Sequence, residues 1–471
     1  MSRMMNTQAQ SSLQYIGRIS AVMGILLGLT EGLYLYTWGP YLYDLFGGSS
    51  NSTAMLLTTA VNTVWFIATA LLEGPTGAVA DAIGRVHTIM LSWGARLFYF
   101  ICLPLMLLAP SLAISFPMAL TAVIFFSIGY TLFNGAFAAW MADWMKENVP
   151  DVPYTWAASR FFTYRAGFTL PGALFAIVCY THGVAFLAFG VAAFLSSVGM
   201  IYSVGHLREV ARLNFINFYR FSFKAVLSTV GARFAGGMKG AFTSKVLFWI
   251  IMLYAQYAFL KNTVDYLWSI FLISKWGAHA FSWQWIGLVV TSSLFSMALS
   301  AYVGKKSAAW IGQHVSGNLP FLKKMYFFFG VLSAVMVLTL SVTTYLDKTP
   351  FWFFCIAIIT VSMSFGVLGP MFEGLANHYI PESRANERAT ILSSGSMLRS
   401  IFCTFLFIPA GGLSGAATPI FWAIPAGLLL ISSLIAGYFM FRKQKTTCDP
   451  DSDGGSEGGG KKEVLLTTHA A

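Results

Sequence analysis

The chain has 471 residues, of which 57% are hydrophobic, 16% aromatic and only 10% charged, with a formal net charge of +11. This balance lies far outside the range of soluble proteins, and the apolar residues come in runs long enough for bilayer-crossing helices of ~20 residues. A soluble enzyme or binding module is excluded, and an all-α integral membrane protein is expected.

Hydropathy with polar punctuation predicts twelve spans, beginning near Tyr15, Thr53, Val86, Leu112, Val152, Gly183, Val246, Trp283, Phe321, Pro350, Ala389 and Pro419. No short apolar run with a small-residue cleavage site precedes the first span, so that helix is expected to remain in the protein. Along a twelve-span path Arg3, Arg18, Arg85, Lys146, Arg160, the run from Arg208 to Lys245, Lys305, Lys306, Lys323, Lys324, Arg384, Arg388, Arg442, Lys443 and Lys445 fall on one side. The other side holds little more than Lys275 and Lys348. The positive-inside rule then places both termini in the cytoplasm. The basic balance reports topology; no basic patch with interleaved aromatics points to nucleic acid. Asn51-Ser52-Thr53, on the outer side, is a glycosylation sequon if the host is eukaryotic. Cys102, Cys179, Cys355, Cys403 and Cys448 lack metal-site or disulfide spacing and read as small packing residues.

The spans form two groups of six. Residues 1–205 are expected to be one bundle and 246–442 the second, joined by a basic cytoplasmic connection over 206–245, with a flexible cytoplasmic tail over 443–471. In the connection, Leu207, Val210, Leu213, Phe218 and Phe221 alternate with Arg208, Arg212, Arg220 and Lys224, as in an amphipathic helix at the headgroups; a disordered basic linker is the alternative. A shift of about 230 residues lays Trp38 on Trp268, Gly47 on Gly277, Glu31 on Lys261 and Asp143 on Glu373. Such matches favour a duplicated six-helix unit, a common construction among transporters.

Between the second and third spans runs Gly74-Pro-Thr-Gly77-Ala-Val-Ala-Asp81-Ala-Ile-Gly84-Arg85. Asp81 falls near a helix C-terminus, where the helix dipole disfavours a negative charge, and it needs a partner. The eleventh span begins on the same side at Arg388-Ala389-Thr390 and offers a favourable N-terminal end. Gly77 permits close helix approach, Gly84 suits a left-handed helix end, and Arg85 is placed to meet an acid such as Asp143. Glu73 shares a face with Gly77 and Asp81, and Glu73 and Glu373 are read as members of the same interbundle contact. The Gly77, Asp81, Gly84, Arg85 pattern resembles the signature loop of the major facilitator superfamily, as does Ile380-Pro381 followed by Arg388-Ala389-Thr390. The resemblance covers nearly the whole chain and implies that this loop is a cytoplasmic latch between the bundles. The resemblance suggests the bacterial drug-efflux-like branch, and the chain departs from the expected pattern in three places. Its second-half loop, Gly304 to Gly317, lacks the acid, its fourth span has Thr131 roughly where many proton-coupled members have an arginine, and Pro171-Gly172 replaces a Gly-Pro element.

Ionisable residues inside spans are costly and mark function or pairing. Glu31, Lys261 and Asp265, with Arg96, Arg165 and Arg399, are the candidates for substrate and proton coupling. Lys261 needs a carboxylate, which either Asp265 one turn away or Glu31 across the cavity supplies. Tyr34, Trp38, Tyr257 and Trp268, with Tyr266, are candidate cavity aromatics, interface belts being the alternative.

Together these features lead us to expect a monomeric secondary transporter in a bacterial inner membrane, moving a small organic solute by alternating access with protons as coupling ion, export favoured over nutrient uptake. A non-transporting sensor or assembly module is the alternative class. No metal-ligand cluster, nucleophile elbow or phosphate loop points to an enzyme, and no cofactor is expected.

Overall fold

The computed structural model describes residues 7–35, 37–47, 52–109, 111–208, 223–276, 281–308, 319–410 and 418–441. These residues are almost wholly helical. The first half comprises α1 (Thr7–Leu35), the short α2 (Trp38–Leu45), α3 (Ser52–Ile83), α4 (Arg85–Leu105), α5 (Leu112–Asn148), α6 (Tyr154–Thr181) and α7 (Ala185–His206). A connecting helix, α8 (Phe223–Thr243), leads into α9 (Lys245–Trp276), α10 (Phe281–Ala308), α11 (Leu319–Tyr345), α12 (Phe351–Tyr379), α13 (Arg388–Ala410) and α14 (Thr418–Phe441). Among the described residues ten spans are long and apolar enough to cross a membrane, the first running from α1 into α2. Residues Phe234–Phe242 with Lys245–Asp265 make an eleventh, bent by 100°, and α10 adds the apolar stretch Val290–Val303. Leaving aside α2 and α8, the long helices follow the twelve predicted spans as two groups of six.

Helix contacts repeat between the halves. Within the first, α1 lies along α6, and α4 packs on α5 and α7; within the second, α10 and α11 pack on α12, and α9 on α12 and α13. Across the interface α3 meets α13 and α6 meets α10. These are spans two with eleven and five with eight, which exchange under a shift of six, as a duplicated unit requires. Leu71, Phe194, Ile201 and Phe405 project outward and are exposed in the protein alone, as lipid-facing side chains are.

The tightest seam is α1 against α6. Gly24, Gly28 and Gly32 fall four apart on one face of α1, and a Cβ at any of them would strike backbone of α6, at Phe161, Arg165 and Thr169 respectively. Association inside a bilayer relies on such small-residue contact, because lipid offers apolar side chains no hydrophobic gain on pairing. The seam sets the helix axes so close that Glu31, one turn beyond Gly28, comes level with the Arg165 side chain.

Gly84 alone separates α3 from α4. Its φ of 106° and ψ of 143° give an extended positive-φ turn instead of the expected left-handed helix end, and its carbonyl accepts the Thr88 N–H at 3.2 Å in the first turn of α4. At the opposite end of the first half, α2 is pinned by Tyr41 donating to the Leu103 carbonyl (2.8 Å) and Tyr180 donating to Asp44 (2.5 Å). Helix α8 packs on both α3 and α13. The amphipathic segment over 207–224 and the second-half loop from 309 onward lie largely outside the described residues, as does the tail after Phe441.

Candidate functional site

Two constellations of charge occupy the interface between the halves. The first sits at the end of the bundle that carries Asp81. The leading N–H groups of a helix have no partner within it, and a capping side chain usually supplies one. For α13 that side chain comes from the other half: Asp81 accepts the backbone N–H of Ala389 (3.3 Å) and of Thr390 (3.1 Å), and the Thr390 hydroxyl (3.0 Å). Gly77 makes the approach feasible, since a Cβ there would stand 2.9 Å from Thr390 Cα.

Arg85 ties the same region together. It donates to Asp81 (3.3 Å), to the Ala139 carbonyl on α5 (3.0 Å) and to the Ala385 carbonyl just before α13 (3.1 Å), and it forms an ion pair with Asp143. Arg388 reaches the other oxygen of Asp143 at 3.2 Å and donates to Asn377 at 3.0 Å. Asp81, Arg85, Asp143 and Arg388 are all buried, so two acids and two bases make a neutral, water-excluded quartet. Removing one member of such a group leaves a buried charge uncompensated.

The second constellation surrounds a central cavity of about 210 Å³ lined by both halves. On the first half, Arg165 grips Glu31 with two parallel hydrogen bonds of 2.7 Å, the bidentate geometry that favours arginine over lysine. On the second half, Lys261 pairs with Asp265 on its own helix. The Phe365 ring lies between them, 5.7 Å from the Arg165 guanidinium and 5.1 Å from the Lys261 ammonium. Arg399 donates to the Tyr130 hydroxyl at 2.7 Å and to Ser400 at 3.1 Å.

Glu73 and Glu373, read from sequence as interbundle contacts, each meet the opposite half, in the cavity wall and apart from the Asp81 group. Glu73 is one to two turns deeper than Gly77 and Asp81, level with Met397 and Ser396, and Glu373 accepts a 2.5 Å hydrogen bond from Tyr154 of the opposite half. Of the candidate aromatics, Tyr34 lines the cavity. Trp38 is turned away to donate to Asn62 (3.2 Å) and pack on Tyr99, and Tyr257 points into the core of the second half, where it donates to the Val361 carbonyl (2.7 Å). The side chains of Tyr266 and Trp268 lie outside the described residues. The rings that do reach the cavity include Trp65, Tyr130, Phe162, Tyr254, Phe365 and Phe372, which sequence reading did not single out. Arg96 is not in the wall. It is buried behind it, its guanidinium 5.6–5.9 Å from the rings of Trp93, Phe126 and Phe133.

Two pseudo-symmetric six-helix halves around one cavity, joined at one end by a capping aspartate, define the architecture. No protein-family model and no curated sequence matches the chain. Among solved structures it is similar to the proton:xylose symporter XylE of E. coli bound to 6-bromo-6-deoxy-D-glucose, with a TM-score of 0.67 and 12% identity over 92% of this chain and 96% of that one. It is also similar to a bacterial homologue of the iron transporter ferroportin in an outward-facing state (TM-score 0.60, 14% identity, 90% and 98% covered). A third likeness is to the human organic anion transporter MFSD10 (TM-score 0.60, 13% identity, 90% and 99% covered). The chain therefore has the fold of major facilitator superfamily transporters.

Proposed function

We propose that this chain is a secondary active transporter of the major facilitator superfamily that moves a small organic solute by alternating access. The observation that carries the reading is the cavity itself: both halves line it, charged and aromatic groups converge in it, and the Asp81–Thr390 contact closes one end. The positive-inside reading makes that end cytoplasmic, so this conformation is outward-facing, in a multi-pass protein of a bacterial inner membrane with both termini inside. A monomer is part of this reading.

Protons are the proposed coupling ion, because the cavity holds carboxylates whose charge is costly away from water. The sign of the coupling sets the direction. Export, the direction favoured from sequence, requires proton and solute to compete for the cavity; uptake requires them to bind together.

The test is counterflow in proteoliposomes against a panel of neutral, anionic and cationic organic solutes, repeated with a pH gradient imposed in each orientation. Accelerated exchange of one class, driven by the gradient, is expected. No exchange of any solute by protein that is folded and correctly inserted would overturn the reading.

A further inference from the structure

The cations of the cavity wall differ in how far they are committed. Arg165 is held by both oxygens of Glu31, and Lys261 is paired with Asp265. Each pair lies within one half, so neither needs to break when the halves rock. Arg399 differs: it donates only to neutral hydroxyls, of Tyr130 and Ser400, and its Nε has no hydrogen-bond partner.

The acid nearest to it in the wall is Glu73, on the other half. The α3–α13 contact places the two level, since Gly74 abuts Met397 and Gly77 abuts Ser393. Glu73 is fully buried, with Ser396 and Asn134 beside its carboxyl group, and among the described residues no cation stands within ion-pair distance of it. An ionised carboxylate and a guanidinium facing each other across a dry seam attract strongly and close into a pair. Here they have not closed, and the guanidinium turns to a phenol. A neutral Glu73 accounts for this arrangement.

We propose that Glu73 carries the coupled proton and that, while it is protonated, Arg399 and the Tyr130 hydroxyl bind the anionic group of a small organic monoanion. The inference rests on the transport reading above and names its solute class. Among the described cations of the cavity wall Arg399 alone has no carboxylate partner, Arg96 lying behind the wall among aromatic rings, and one negative charge on the solute balances it, whereas a cation or a neutral solute does not. Trp65 and Tyr254 give the solute's apolar part a surface to pack on. When Glu73 gives its proton to water, its carboxylate claims Arg399 and expels the anion. Proton and solute therefore bind together, and an inward proton gradient drives uptake. Among the described residues the groups that bear on this titration are Arg399 from α13, with Tyr130 from α5 and Tyr254 from α9 gathered around that guanidinium; α8 brings the Phe234 ring to Gly74.

The test uses the purified full-length protein in nanodiscs with benzoate as probe, and benzamide and benzylamine as its neutral and cationic counterparts, read by tryptophan fluorescence. Benzoate affinity is expected to rise about tenfold from alkaline to acid buffer, a change of about 1.4 kcal/mol, with little binding of the other two. Glu73→Gln should bind benzoate tightly at both pH values, and Arg399→Gln should lose it. Infrared spectroscopy of the wild type at neutral pH should show a carboxylic-acid carbonyl band that vanishes in Glu73→Gln, a reading that does not depend on the arginine variant folding. Absence of that band, preference for benzylamine or benzamide, no benzoate binding at any pH, or an unchanged pH dependence in Glu73→Gln would each overturn the proposal. Counterflow of benzylamine without benzoate leaves transport standing and removes the anion. Benzoate binding without counterflow of any solute removes transport and leaves the site.

Discussion

Asp81 accepts both the backbone N–H and the hydroxyl of Thr390, a residue 309 positions away in sequence, and so fills the place that a helix N-cap normally fills from its own chain end. The first turn of α13 is thus completed only while the two halves are together at that end. Helix capping and interbundle closure are one interaction.

Asp81→Ala removes that cap, and loss of an N-cap costs about 0.5–2 kcal/mol. Access to the cavity from the Asp81 end should rise by about 2–30-fold, read as labelling of a cysteine placed at Ser396 by a reagent added on that side. Asp81→Asn keeps an oxygen acceptor but loses the charge, and its labelling should fall between the two. Equal labelling in all three proteins would show that the contact does not set the equilibrium.

Tyr154→Phe deletes the hydrogen bond to Glu373, which also crosses the halves. The expected shift in the same labelling assay is about 1.5–3 kcal/mol for a bond to a charged acceptor, and about 1 kcal/mol if Glu373 is neutral. Labelling indistinguishable from wild type would mean that Glu373 finds another donor, such as water in the cavity.

Gly28→Ala should be severe, because the added Cβ meets the Arg165 backbone, which no rotamer change can move aside. Gly190→Ala is the matched control, with open space around the new methyl group. Thermal unfolding in detergent should separate them, the first losing folded yield and the second melting like wild type. A tolerated Gly28→Ala would show that α1 and α6 can separate without cost.

A double-mutant cycle distinguishes the ion pairs of the cavity. Glu31→Gln with Arg165→Met should show an interaction energy of about 0.5–3 kcal/mol in thermal stability, while Glu31→Gln with Lys261→Met should be additive to within about 0.5 kcal/mol. Strong coupling of Glu31 to Lys261 would indicate that the cross-cavity pair forms in a second populated conformation.

Much of the helical architecture is legible in the sequence because a bilayer demands continuous apolar helices, and their lengths and flanking charges survive as pattern. The separation at α2 is not, since it does not interrupt hydropathy strongly; α8 falls inside the basic connection that the charges mark, but its packing on α3 and α13 carries no local signal. Asp81 stands out because a carboxylate at a helix C-terminus asks for a partner, and the start of α13 is a chemically apt one. The Glu31–Arg165 pair is hidden: both residues can be flagged as buried charges, but across a separation of 134 positions there is no local signal that they meet. Gly24, Gly28 and Gly32 are visible as a stripe on α1, whereas the identity of the helix they meet is not. Trp38 and Tyr257 illustrate a further limit. Inside a bilayer the lipid face and the packed face of a helix are both apolar, so periodicity does not show which aromatic ring reaches the cavity.

Helix α8 gives the closed end a direction of failure. Its glycines at 236, 237 and 240 abut Glu387, Thr390 and Arg384, and the Gly236 carbonyl accepts from Arg384 at 3.0 Å, so it is fastened to the segment that opens α13. Its hold on α3 includes Phe234 lodged at Gly74. The seam that must part therefore follows a single stripe of α3, through Gly74, Gly77 and Asp81, spaced three and four residues apart. A seam of that shape can unzip one turn at a time. The barrier to opening is then set by the first turn to yield and the water that enters behind it, and it lies well below the sum of the contacts.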